Sequence, residues 1–195
     1  SGISLRQKEH FSMTNAVFTN VQGSLSGACL LASNTTVVLE NWTVKNFYSG
    51  CVSVTNTNAT IRNFTMDNYE YSQKYNNTDN PQQVGAALFL NSGYNFTVTG
   101  VTIRGNQNIT SRGAAIDVEN STYFHLQDAW LEDNSAETGG GLYIGFMPAN
   151  VVNVTFKNNT AQNGGGLYAV GFGNMNETNA TQSFANLTFI ENHAV

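Results

Sequence analysis

Two short motifs alternate along the whole chain, and a fixed recurrence of this kind restricts the architecture more than any other feature. The first is a Gly-led tripeptide opening an alternating apolar run: Gly27-Ala28-Cys29-Leu30, Ser49-Gly50-Cys51-Val52, Gly85-Ala86-Ala87-Leu88, Gly113-Ala114-Ala115-Ile116, Gly139-Gly140-Gly141-Leu142 and Gly164-Gly165-Gly166-Leu167. Successive copies start 22 to 36 residues apart. The second motif reads apolar-x-Asn-apolar-Thr-apolar and closes on a further Asn. It runs from Met13 to Asn20, Leu39 to Asn46, Ile61 to Asn68, Val98 to Asn106, Leu126 to Asn134, Val151 to Asn159 and Phe184 to Asn192.

The residues at the centre of the second motif are Asn15, Asn41, Asn63, Gly100, Asp128, Asn153 and Asn186. These types accept the left-handed backbone angles of a bend, which most side chains resist. The closing column is Asn at every copy: Asn20, Asn46, Asn68, Asn106, Asn134, Asn159 and Asn192. Each repeat therefore holds short strands separated by bends, and one repeat cannot bury its apolar face alone. Stacked about 4.8 Å apart, the repeats pair strand with strand and bring like residues into columns. The closing Asn residues then form a structural ladder of amides. This predicts an all-β solenoid of about seven coils, one domain over residues 1–195, with loop insertions at 69–84 and 172–182.

Composition agrees. The chain has 28 Asn and 21 Thr against two Pro, and Asn suits turns while Thr suits strands. Charged residues make up only 11 %. A net charge of −5 with eight Lys plus Arg and no basic stripe excludes nucleic acid as a partner. No apolar run approaches the roughly 18 residues of a membrane-spanning segment.

The pairing of Gly113-Ala114-Ala115-Ile116, Gly140-Gly141-Leu142 and Gly165-Gly166-Leu167 with Phe156-Lys157-Asn158-Asn159 and Phe189-Ile190-Glu191-Asn192 resembles the repeats of the chlamydial polymorphic outer membrane proteins. More broadly it is similar to the pectin-lyase-like right-handed β-helix superfamily. The early coils depart from the pattern, with Val44-Lys45-Asn46 and Met66-Asp67-Asn68 one residue shorter. The resemblance implies a right-handed parallel β-helix, exposed at a surface and adhesive.

Thirteen Asn-x-Ser/Thr sequons occur. Asn41, Asn63, Asn153 and Asn186 follow from the repeat itself; Asn34, Asn58, Asn76, Asn95, Asn108, Asn120, Asn158, Asn176 and Asn179 do not. Exposed sequons suit N-linked glycans in a secreted protein, and an Asn- and Thr-rich solenoid that makes sequons incidentally is the alternative. The two cysteines, Cys29 and Cys51, fall in one column of adjacent coils, where later copies have Ala87, Ala115, Gly141 and Gly166. They are either a disulfide or two small thiols filling a tight column. No cofactor is implied beyond glycans, with a weak Ca²⁺ site conceivable among the acidic residues.

The outward columns are the remaining places for function. One reads Val17, Thr43, Thr65, Thr102, Trp130, Thr155 and Thr188. A Thr row is the basis of an ice-binding alternative, but Trp130 interrupts it. A second holds Leu31, Ser53, Phe89, Asp117, Tyr143 and Tyr168. Here Tyr143 over Tyr168 makes an outward aromatic pair suited to a sugar or a partner, unless a loop covers it. Asp117, Glu119, Asp128, Glu132 and Asp133 gather in two coils, with Arg104, Arg112 and His125 nearby. No paired-carboxylate run of the pectinase type accompanies them, so a polysaccharide-cleaving or carbohydrate-binding protein stands as the alternative rather than the main reading. The last repeat has no Gly-led strand after it. Open strand edges would pair with further coils of the same chain, or with another copy end to end. The sequence thus predicts a non-catalytic, glycosylated, secreted or cell-surface segment of an adhesin or filament, whose partners are itself, glycans or other surface proteins.

Overall fold

A computed structural model describes residues 2–7, 9–21, 29–47, 50–68, 86–171 and 181–195, with the backbone alone at 108–111. The expected insertion 69–84 and residues 172–180 of the second insertion lie outside this set, as do the sequons Asn76, Asn176 and Asn179 and the side chain of Asn108.

Among the described residues nineteen strands, numbered along the chain, form three parallel sheets that wrap one core. The first sheet stacks β1 (Ile3–Arg6), β4 (Leu30–Ser33), β6 (Val52–Thr55), β8 (Leu88–Asn91), β11 (Ile116–Glu119), β14 (Leu142–Ile144) and β17 (Leu167–Ala169). The second is built from the long strands β2 (His10–Thr14), β3 (Val17–Thr19), β5 (Thr36–Lys45), β7 (Ala59–Asp67), β9 (Asn95–Arg104), β12 (Tyr123–Glu132), β15 (Ala149–Lys157) and β18 (Gln182–Ile190). The third holds β10 (Gln107–Arg112), β13 (Ser135–Thr138), β16 (Thr160–Ala161) and β19 (His193–Ala194). Each strand pairs with its copy one coil away, so the chain is an all-β parallel β-helix of seven coils. Among the described residues no helix is long and apolar enough to cross a membrane.

Register is continuous because like residues sit over like. In the second sheet Met13, Leu39, Ile61, Val98, Leu126, Val151 and Phe184 form one inward column. Its neighbour sets Phe96 and Phe124 between Ala59 and Ala149, matching large side chains to small ones at constant coil spacing. Trp42, Phe64, Phe96, Phe124 and Phe156 are fully buried, and each such side chain contributes about 1.5–3 kcal/mol. The bends that divide the long strands carry positive φ at Asn15, Asn41, Asn63, Gly100, Asp128, Asn153 and Asn186, the central column of the second motif.

Three features differ from the sequence expectation. The strand β1 belongs to the first sheet although no Gly-led motif precedes it. Among the described residues the third sheet begins at β10, and only residues 46–51 connect β5 to β6. And the closing Asn column is two columns. Asn20 and Asn46 stand at the corner with positive φ, a place taken in later coils by Gly105, Asp133, Asn158 and Glu191. Asn106, Asn134, Asn159 and Asn192 lie one residue further on and turn inward. Asn68 joins the inward set by position of its amide: its Oδ1 accepts from the Phe47 N–H at 3.1 Å. The one-residue shortening places Asn20 and Asn46 at the corner, whereas Asn68 closes an equally short copy and still turns its amide inward.

The inward Asn residues form a buried ladder. Asn159 Oδ1 accepts from the Asn134 backbone N–H and Nδ2, both at 3.0 Å. Asn159 Nδ2 donates to Leu131 O at 2.8 Å and to Asn192 Oδ1 at 3.0 Å. Each amide thus satisfies backbone groups that the corner would otherwise leave unpaired away from water.

Candidate functional site

With the core closed, chemistry is confined to the outer faces. Nine sequons have described side chains: Asn34, Asn41, Asn63, Asn95, Asn120, Asn153, Asn158 and Asn186 are exposed and Asn58 is half-buried. Strand alternation explains the pattern. In eight of the nine the middle residue is buried (Thr35, Trp42, Ala59, Phe64, Phe96, Ser121, Val154 and Asn159), which puts the Asn and its Thr together on the outside. Several of these amides also bond along the stack. Asn41 Nδ2 donates to Asn15 Oδ1 and Asn63 Nδ2 to Asn41 Oδ1, each at 3.1 Å. Asn34 and Asn120 belong to a further positive-φ column with Gln7, Asn56 and Ser92, at the corner between the first and second sheets. Its mixed residue types hid it from the sequence.

The structure joins Cys29 and Cys51 in a disulfide between adjacent coils, with Cα atoms 4.8 Å apart. Both cysteines are fully buried, so the bond locks two coils rather than offering a reactive thiol.

The outward aromatic residues do not form one surface. Tyr143 is buried, a correction to the expected open pair. The Arg112 guanidinium lies 4.8 Å from its ring centroid, and Tyr168 stacks on it at 5.8 Å with 8° between the ring planes. Phe89 is half-buried, whereas Tyr168 and Trp130 are exposed. Trp130 lies on the second sheet, away from the other three.

The acidic residues separate in the same way. Asp117 and Glu119 lie on the first sheet, and Asp128 and Glu132 on the second. Arg112 Nη2 pairs with Glu119 Oε1 at 2.5 Å and its Nη1 donates to the Tyr143 hydroxyl at 3.2 Å. Asp117, two residues before Glu119 on the same strand face, is 3 % exposed, and its Oδ1 has no hydrogen-bond partner. Burial above all, then the neighbouring Glu119 charge and hydrogen bond, push its carboxyl up to about 8 against the opposing pull of Arg112. Among the described residues no group of three or more His, Cys, Asp or Glu side chains could hold a metal ion.

The raised Asp117 value has a measurable consequence. Above its ordinary value of 3.8 the unfolded chain loses this proton while the folded chain keeps it, up to about pH 8. Its contribution therefore makes the fold most stable in acid and less stable at each step from about pH 4 to 8. In Asp117→Asn the thermal midpoint is expected to lose that slope and to exceed the parent's at pH 8. An unchanged slope would show that Asp117 ionises normally.

Residues 1–193 match the family model described as the right handed beta helix region, and the chain belongs to that family. Nothing among curated proteins or solved structures matches it.

Proposed function

From membership of the right-handed β-helix family, we infer that the chain is a non-catalytic, N-glycosylated structural and adhesive segment of a secreted or cell-surface protein. One observation carries this reading: every sequon whose side chain is described reaches the outside, and none is lost to the core. The folded coil stack therefore offers the eight exposed sequons to glycans. The buried disulfide supports an oxidising compartment.

The catalytic alternative meets an obstacle in the carboxylates. Asp117 and Glu119 are paired with each other and with Arg112, and Glu132 is held by Lys157 at 2.7 Å. The test is turnover of polygalacturonate and of neutral polysaccharides, read as new reducing ends or unsaturated products. No product above background is expected. Turnover that disappears in Asp117→Ala or Asp133→Ala would replace this reading with an enzymatic one.

A further inference from the structure

The outer face of the second sheet carries a bulky side chain where its neighbours carry Thr. Across the coils the column runs Val17, Thr43, Thr65, Thr102, Trp130, Thr155 and Thr188. Trp130 is 39 % exposed. Its Nε1 donates to Glu132 Oε2 at 2.9 Å, and Glu132 Oε1 receives Lys157 Nζ at 2.7 Å. The indole is thus tied along its own strand rather than free to swing, and a side chain already fixed loses little rotamer freedom when a ligand settles on it. Its cross-strand partners Thr102 and Thr155 are small, which leaves part of the ring open to solvent.

The pattern of bends isolates the same place. Four of the mid-strand bends are sequon Asn residues, Asn41 and Asn63 on one side and Asn153 and Asn186 on the other. The two coils between them have Gly100 and Asp128 instead, which cannot carry an N-glycan. From Asn63 to Asn153 is three coil steps, about 14 Å at the spacing of parallel strands. The sequons Asn95 and Asn120 stand at the start of β9 and just before β12, so only the strip formed by the far halves of these strands is free of sequons, and Trp130 lies there.

The positive charges of the strip are cancelled, while Asp128, held by the neutral amides of Gln127 and Asn153, adds a negative one. Glu132 is paired with Lys157, and Arg104 with Asp67 at 2.5 Å. Gln127 and His125 add hydrogen-bonding groups, already aligned by contacts of 3.3 Å between them and from Asn150 Nδ2 to His125 Nδ1. An anionic chain would have to break an ion pair to find a cation here. A pyranose chain would not: the C–H face of a sugar ring is apolar and packs on an aromatic face, while its hydroxyls meet polar groups at the rim.

We propose that the outer face of β12 binds a neutral polysaccharide strand, with Trp130 as the stacking platform and Glu132 and Gln127 as hydrogen-bonding edges. The glycan-free strip rests on the glycosylation reading above; the fixed indole and the cancelled positive charges do not.

The test is affinity electrophoresis of the native chain in gels containing hydroxyethyl cellulose, galactomannan, laminarin or, as the anionic comparison, polygalacturonate. Retardation by at least one neutral polysaccharide is expected, weakened about tenfold or more in Trp130→Ala. Phe146→Ala, which removes an aromatic ring that is 55 % exposed elsewhere, should bind as the parent does. An unchanged thermal midpoint in Trp130→Ala shows that folding is retained. The proposal fails if no neutral polysaccharide retards the chain, if Trp130→Ala is retarded equally, or if polygalacturonate alone is bound. Removing the glycans enzymatically should leave binding intact; binding lost with them would place it in the glycans and overturn the proposal. Trp130-dependent binding by a chain with bare sequons would sink only the glycosylation reading, whereas a glycosylated chain without binding would sink only this one.

Discussion

Replacing Asn159 by Leu is expected to cost about 4 kcal/mol of folding stability, although Leu has the same number of side-chain heavy atoms in the same branching. The side chain receives two bonds from Asn134 and gives two, to Leu131 O and Asn192 Oδ1. Leu can make none of them. The Asn134 N–H then lies in a dry interior without its partner, at about 1–3 kcal/mol, while the Leu131 carbonyl and two further amides each lose a bond. Asn41 is the comparison. It also bonds to its neighbours in the stack, but in water, so Asn41→Ala should cost about 1 kcal/mol, mostly for an unfavourable positive φ. Urea unfolding of the two variants measures the difference. Equal costs would mean that the inward Asn column is decoration on an apolar stack rather than the element that completes its corners.

The second large effect is steric. A methyl group added at Gly140 would lie 2.4 Å from the Gly165 carbonyl oxygen and 2.5 Å from that of Thr160. Both are backbone atoms of the next coil, so no side chain can move aside, and two coils must separate locally. Gly140→Ala should therefore cost about 3 kcal/mol or more, at the upper end for overpacking. Among the described residues Gly171 has no atom within 4 Å of the same methyl position, and Gly171→Ala should be close to neutral. Thermal unfolding of the pair checks this; a tolerated Gly140→Ala would contradict the coil spacing itself.

These two predictions also mark how far the sequence could be read. The stack, its parallel pairing and the bends at Asn15, Asn41, Asn63, Gly100, Asp128, Asn153 and Asn186 were legible because each depends on a residue type recurring at a fixed place. The division of the closing Asn column was not. Asn46 and Asn68 close equally short copies of the motif, and only the three-dimensional corner decides that one takes a positive φ and the other turns its amide inward. The corner column of Gln7, Asn34, Asn56, Ser92 and Asn120 was hidden because Gln and Ser stand among the Asn. The third sheet was missed because its strands are two to six residues long and lack apolar alternation.

On the candidate surfaces the limits are similar. Alternation correctly predicts that Tyr143 points away from the core, yet it says nothing of Arg112 lying across the ring. It also places Asp117 outward, while the folded chain leaves that carboxyl 3 % exposed beside Glu119. Burial on an outer face comes from side chains of other coils, which a strand pattern does not contain. Trp130 needed the opposite information: its exposure follows from Thr102 and Thr155 on either side, and its rigidity from Glu132 and Lys157.

The central claim is that this coil stack presents glycans from its outer faces. Site-resolved glycopeptide mass spectrometry on material from its native source tests it most directly. The account predicts N-linked glycans on most of Asn34, Asn41, Asn63, Asn95, Asn120, Asn153, Asn158 and Asn186, the exposed sequons. Unmodified Asn at all eight would contradict it.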